Sequence, residues 1–221
     1  MTKWLWIVAG PNGAGKSTHT AKLIVDLEAS GFIGADIIKL NADERTAELR
    51  KQFPDRPLRE LNLQAAQETD AALVKHIAED APYIVVETVL SSTKYQDDVL
   101  EARERGYNVG LTYVSVHPPE LILGRIINRV AKGGHNVDAQ KALDRYRRSH
   151  ENLVWFARHS DRLFILDNSA PREIGPVLVA TKEVGKRLIW KRKAWGINPA
   201  LDHAIRALQR GDPYYPSPNA G

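Results

Sequence analysis

The run Gly10-Pro11-Asn12-Gly13-Ala14-Gly15-Lys16-Ser17-Thr18 holds residue types and spacings that specify chemistry directly. Glycine, four residues, then Gly-Lys-Ser is the pattern of a loop that wraps phosphate. The glycines let successive backbone N–H groups turn inward around phosphate oxygens, and a helix beginning near Lys16 adds partial positive charge at its N-terminus. In this reading Lys16 reaches the β- and γ-phosphates, Ser17 offers its hydroxyl to Mg²⁺, and Thr18 contacts the α-phosphate. The ligands expected of residues 10–18 are ATP and Mg²⁺. No Asn-Lys-x-Asp guanine-reading signature accompanies the loop, which sets GTP aside.

A phosphoryl group needs an acceptor. Asn41-Ala42-Asp43-Glu44-Arg45 reads as a loop after a short apolar run, where a carboxylate can orient an acceptor hydroxyl and take its proton. Asp43 is the candidate base and acceptor contact, its competing role being the N-cap of a following helix. Glu87-Thr88 ends another apolar run. Glu87 can hold the metal through water, as the Asp of a Walker B strand does, or touch the acceptor together with Thr88. Asp167 occupies a similar place in a later run, where a turn-capping role is the ordinary one. Arg125 and Arg129 stand four apart on a helical pattern, so they share a face. On a mobile lid of about residues 118–138, hinged at Gly133-Gly134, they would neutralise charge on the transferring phosphoryl group. His135 beside the hinge is a candidate substrate contact. Arg145 and Arg148 flank an apolar stripe of Leu143, Tyr146, His150 and Leu153, facing either phosphate or solvent.

These groups require elements to place them. Runs at 4–10, 37–40, 83–87, 109–116 and 163–167 are short and rich in β-branched and aromatic residues, and read as strands. Segments at about 16–30, 58–80, 93–105, 119–131 and 138–159 read as helices. Such alternation predicts an α/β fold with a mostly parallel five-stranded sheet and helices on both faces. The tryptophans Trp4, Trp6, Trp155 and Trp190 are expected to pack.

Composition sets the outer bounds. The 221 residues include no cysteine, which excludes disulfides, Cys-ligated zinc and thiol nucleophiles. No apolar run approaches a membrane span or a signal peptide, so a cytoplasmic protein with no membrane partner is expected. The net charge of +4 is unevenly spread. Residues 181–221 carry eight basic and three acidic side chains, leaving 23 and 24 for residues 1–180. Residues 1–180 are thus expected to form the catalytic domain and 181–221 a basic helical appendage, with helix running from after Pro171 to about Lys193 and one more short amphipathic helix over residues 199–211. An alternative function follows: a nucleotide-dependent ATPase or binding module whose basic tail docks a protein or nucleic acid. The motifs favour ATP and a small acceptor as the anions bound, and no nucleic-acid partner.

Taken in order, GPNGAGKST, NADE, ETVLSS, the Arg125/Arg129 pair with KGGHNVD, RYRRSHENL and LDNS resemble the zeta-toxin-like P-loop kinases over roughly residues 3–170. The resemblance implies a nucleotide-kinase-like three-layer sandwich. It also implies transfer of the γ-phosphate of ATP to an alcohol group, in zeta toxins the 3′-hydroxyl of the amino sugar in UDP-N-acetylglucosamine, and an antitoxin protein as partner. Lys16 and Ser17 match the nucleotide and metal positions, Asp43 the base, Glu87 the acidic substrate contact, and Arg125 and Arg129 the phosphate-clamping arginines. Where zeta toxins carry a Glu-Gly-Thr-x-Arg-like sequence, this chain reads Glu87-Thr88-Val89-Leu90-Ser91, without the arginine.

Overall fold

The computed structural model of the chain describes residues 2–29, 37–131, 138–171, 173–191 and 198–211. The elements run β1 (Lys3–Ala9), α1 (Lys16–Ala29), β2 (Ile37–Asn41), α2 (Ala42–Gln52), α3 (Leu58–Ala78), β3 (Tyr83–Thr88), α4 (Tyr95–Glu104), β4 (Tyr107–Ser115) and α5 (Glu120–Ala131). They continue with α6 (Ala139–Arg158), β5 (Arg162–Asp167), β6 (Val177–Lys182), β7 (Ile189–Trp190) and α7 (Pro199–Gly211). The strands form one sheet in the order β2-β3-β1-β4-β5-β6-β7. The first five are parallel, as expected, and β6 and β7 extend the sheet antiparallel.

Alternate residues of β1 serve opposite faces of the sheet, following the period of two. Leu5, Ile7 and Ala9 join the larger core with side chains of α3, α4, α6 and α7, while Trp4, Trp6 and Val8 join a second cluster with Val85. Trp6 fits against β4 because its neighbour there is Gly110, where an added Cβ would lie 2.4 Å from the indole ring. The indole N–H donates to Thr112 Oγ1 at 3.0 Å.

Two segments differ from the sequence reading. The polar stretch after Asn41, read as a loop, is the start of α2. Its apolar periodicity is slight, since only Thr46 and Leu49 are buried, but its ends are marked. Asn41 caps it, Asp43 and Glu44 occupy the first turn, and Arg50 and Lys51 the last, each sign matching the helix dipole.

The expected helix between Pro171 and Lys193 is instead the hairpin β6–β7. β-Branched residues Val177, Val179 and Thr181 favour extension, and Gly185 turns the chain at φ 68°. The proposed boundary at 180/181 therefore falls inside β6. The basic residues expected on that helix are partly engaged in the fold: Lys182 Nζ donates to the Ser160 carbonyl at 2.8 Å. The last helix, α7, lies on α6, and its Leu201, Ala204, Ile205 and Leu208 belong to the main core.

Asn198 ties α7 to the sheet through a buried polar chain. Its Nδ2 donates to Ser115 Oγ at 3.1 Å, and Ser115 Oγ lies 2.7 Å from His150 Nε2. His150 Nδ1 lies 2.9 Å from the Tyr146 carbonyl, which can only accept. Nδ1 therefore carries the proton and Nε2 accepts from the serine. Burial pushes the His150 pKa down to about 4. Below pH 6.5 the unfolded chain takes a proton that the folded chain refuses, so this contribution is full above pH 6.5 and is lost as pH falls towards 4. The loss amounts to about 3 kcal/mol. Thermal melts from pH 7 to pH 4.5 should show the decline, and His150→Gln should flatten it; an unchanged slope in the variant would assign the acid sensitivity elsewhere.

Candidate active site

The loop between β1 and α1 leaves the sheet where β1 lies between β3 and β4. At Gly10 the backbone has φ 142°, and a Cβ there would stand 2.0 Å from the Val114 carbonyl oxygen of β4. No other residue permits that approach. Gly13 and Gly15 also have positive φ, 71° and 97°. Within the loop Ala14 N donates to the Pro11 carbonyl at 3.2 Å, and Lys16 Nζ donates to the same oxygen at 3.2 Å.

Ser17 and Thr20 stand one turn apart at the start of α1 and address one carboxylate. Ser17 Oγ donates to Glu87 Oε1 at 2.8 Å, and Thr20 Oγ1 lies 3.0 Å from Glu87 Oε2. Glu87 sits at the carboxyl end of β3, with Val8 of β1 and Asn41 of β2 as its strand neighbours. A hydroxyl whose proton is taken by a carboxylate has lone pairs left for a hard cation. This donor set fits Mg²⁺, which takes one or two protein oxygens and fills its shell with phosphate and water. Among the described residues no group of three or more His, Cys, Asp or Glu could hold a metal. The side-chain oxygen of Asn12 is buried in the loop with no hydrogen-bond partner among the described residues.

Asp43 lies exposed in the first turn of α2, two residues beyond the strand partner of Glu87. The capping role weighed against its catalytic one belongs to Asn41, whose Oδ1 accepts from Asp43 N at 2.9 Å and Glu44 N at 3.4 Å. The Thr88 hydroxyl accepts from Leu90 N at 3.2 Å in the turn after β3. That turn is held from α6: Ser149 Oγ donates to the Val89 carbonyl at 2.7 Å and Asn152 Nδ2 to the Leu90 carbonyl at 2.9 Å. Thr18 is exposed beside the loop.

Arg125 crosses the phosphate loop. Its guanidinium donates to the Gly13 carbonyl at 3.4 Å and to the Asn168 carbonyl at 2.7 Å. The side chain of Arg129, the residues Gly133 and Gly134, and His135 lie outside the described residues. Arg145 is half-buried, while Arg148 is exposed and donates to the Asp144 carbonyl at 3.4 Å. Asp167 holds the turn after β5 by accepting from Ser169, the ordinary role for such a residue.

Asn168, unassigned in the sequence reading, joins these parts. Its Nδ2 donates to the Ala14 carbonyl at 2.8 Å, its carbonyl receives Arg125, and its backbone N–H donates to the Ser115 carbonyl at 2.8 Å. A Cβ on Gly15 would meet Asn168 Nδ2 at 2.6 Å. Its position just past the last parallel strand, at the edge carrying the loop, was the available signal.

A family model described as the AAA domain matches residues 5–153, from β1 into α6. The chain belongs to the AAA domain family. The rest of the fold, including β5 with Asn168, lies beyond the AAA domain match. A comparison with the curated proteins finds no match. Among solved structures, the AAA domain chain is similar to the crystal structure of AvrRxo1-ORF1:-ORF2 with ATP, at TM-score 0.68 and 15% identity over 94% of this chain and 64% of that one. It is also similar to a structure of the PezAT chromosomal toxin-antitoxin system of Streptococcus pneumoniae, at TM-score 0.57 and 14% identity over 95% of this chain and 86% of that one. The chain spans 62–66% of the AvrRxo1 chains it matches. These likenesses are of fold: the α/β architecture that the ordered motifs implied is shared with the PezAT structure.

Asn168→Ala should weaken ATP binding by about fivefold to tenfold, the worth of one neutral hydrogen bond. Gly15→Ala should weaken it further, since the added methyl collides with Asn168 and the residue keeps a positive φ. Calorimetric titration with ATP checks both, and wild-type affinity in Asn168→Ala would show that the amide does not position the loop.

Proposed function

We propose that the chain is an ATP-dependent kinase that transfers the γ-phosphoryl group to a hydroxyl of a small acceptor. The observation that carries this reading is the shared carboxylate: Glu87 takes the Ser17 and Thr20 hydroxyls and stands one strand from the turn that bears Asp43. ATP as donor is supported by the phosphate loop and by the ATP named for the AvrRxo1 complex. Gly10–Thr18 would hold its phosphates, and Ser17 with Glu87 would hold Mg²⁺, which supplies charge neutralisation on the phosphate oxygens.

In this mechanism the loop amides and Lys16 orient the phosphates for in-line attack, and Arg125 adds positive charge beside Gly13. Arg129 is proposed to share that work, and Glu87, Thr88 and His135 to contact the acceptor. Asp43 accepts the hydroxyl proton as the acceptor oxygen bonds to phosphorus and the bond to the bridging oxygen of ADP breaks. The UDP-amino sugar implied by the resemblance is the first specific acceptor to test, although Val89 and Ser91 replace the Thr and Arg of the zeta-toxin sequence. A protein partner of antitoxin type is proposed from the toxin-antitoxin system named for the PezAT structure and the ORF1:-ORF2 pairing named for AvrRxo1. Among the described residues no helix is long and apolar enough to cross a membrane.

Asp43→Ala should lower phosphoryl transfer by about 10²-fold to 10⁴-fold while ATP affinity stays within about twofold. Mass spectrometry of a metabolite extract incubated with protein, ATP and Mg²⁺ reads transfer as a gain of one phosphate. Slow ATP hydrolysis unaffected by any acceptor would sink the kinase reading, and full turnover in Asp43→Ala would remove that residue from the base role.

A further inference from the structure

A cleft of about 320 Å³ opens between β2, α2 and α3. Its wall includes Asn41, the strand partner of Glu87, and Glu44 and Arg45 from the same turn of α2 as Asp43. It meets the site through Asn41 and this turn, and since neither Asp43 nor Glu87 lines it, an acceptor held here must direct its hydroxyl past Asn41. Its volume is at the small end of the roughly 300–1,000 Å³ usual for ligand sites, suited to a single sugar-sized ring.

The charges in the cleft have a definite arrangement. Three carboxylates, Glu44, Glu48 and Glu68, face two cations, Lys39 and Arg45. Both cations are engaged. Lys39 Nζ lies 2.5 Å from Glu44, while Arg45 Nε lies 2.5 Å from Glu68 and its Nη1 2.8 Å from Glu48. Gln64 also donates to Glu68 at 2.7 Å, and with Arg45 it holds that carboxyl below the usual range, so it stays ionised at neutral pH. A phosphorylated ligand would have to pull these cations from their carboxylates and then face the excess negative charge. An ammonium group meets carboxylate oxygens that retain unused lone pairs, and ring hydroxyls can bond to either sign.

We propose that this cleft binds the acceptor, and that the acceptor is a hydroxylated compound bearing an ammonium group and no phosphate. The proposal rests on the kinase reading above for the chemistry, though not for the binding. In the reaction the bond from the γ-phosphorus to its bridging oxygen breaks, a bond to the acceptor oxygen forms, the hydroxyl proton passes to Asp43, and ADP departs.

One ring in three charge states tests it: glucosamine, N-acetylglucosamine and UDP-N-acetylglucosamine. Product formation with ATP and Mg²⁺ would be followed by mass spectrometry, and binding by calorimetry with a non-hydrolysable ATP analogue. The expected order of kcat/KM is glucosamine, then N-acetylglucosamine, then the nucleotide sugar, with at least about tenfold between the ends. Glu48→Gln with Glu68→Gln should raise KM for glucosamine by about tenfold, leaving ATP affinity and the melting temperature nearly unchanged. Preference for the nucleotide sugar, or a KM indifferent to both substitutions, would overturn the proposal while leaving the kinase reading intact. Glucosamine binding that depends on Glu48 and Glu68, with no phosphate transferred to any compound, would uphold the cleft and sink the kinase reading.

Discussion

The site depends on a backbone contact too close for any side chain. Gly10 carries β1 out of the sheet against the Val114 carbonyl, and the loop that follows is fixed from three further directions. Asn168 takes the Ala14 carbonyl, Arg125 reaches the Gly13 carbonyl, and Glu87 accepts Ser17. These anchors come from β5, α5 and β3, elements far apart in the chain. A parallel sheet brings their carboxyl ends to one edge, so topology gathers what sequence scatters. The result is a loop whose amides are oriented by the scaffold.

Legibility varied with the physical signal. The five parallel strands and six of the helices were readable because each buries an apolar stripe or run. So was the phosphate loop, whose spacing is dictated by phosphate geometry. Helix α2 was obscured because it buries little more than Thr46 and Leu49, the latter packed on Leu61 and Ala65 of α3, which leaves little hydrophobic period. The β6–β7 hairpin was obscured because counted charge outweighed the β-branched residues among it. Asn168 was missed because its role is a contact across 154 positions, which no local pattern records. Glu87 was placed correctly at a strand end, yet its pairing with Thr20 as well as Ser17 emerges only from the helix turn.

Charge deserves the same local treatment. The net +4 of the chain comes from residues 181–221, yet among them β7 extends the sheet and α7 lies on α6. The cleft between β2, α2 and α3, by contrast, is mildly acidic. The loop side offers oriented amides with Lys16 and Arg125. A donor rich in negative charge and an acceptor without it would thus meet different fields on entering one edge of the sheet.

The tethers from Ser149 and Asn152 to the carbonyls of residues 89 and 90 bear on how such a protein diversifies. Because α6 holds this loop through main-chain oxygens, its side chains other than the buried Leu90 are left to vary without loosening it. Substitutions at Val89, Ser91 or Ser92 can change what this turn presents while its path is kept. Exchange of α6 would disturb that path even if every loop residue were retained. The path of this turn and its exposed side chains are thereby set by separate segments, so one can change without rebuilding the other.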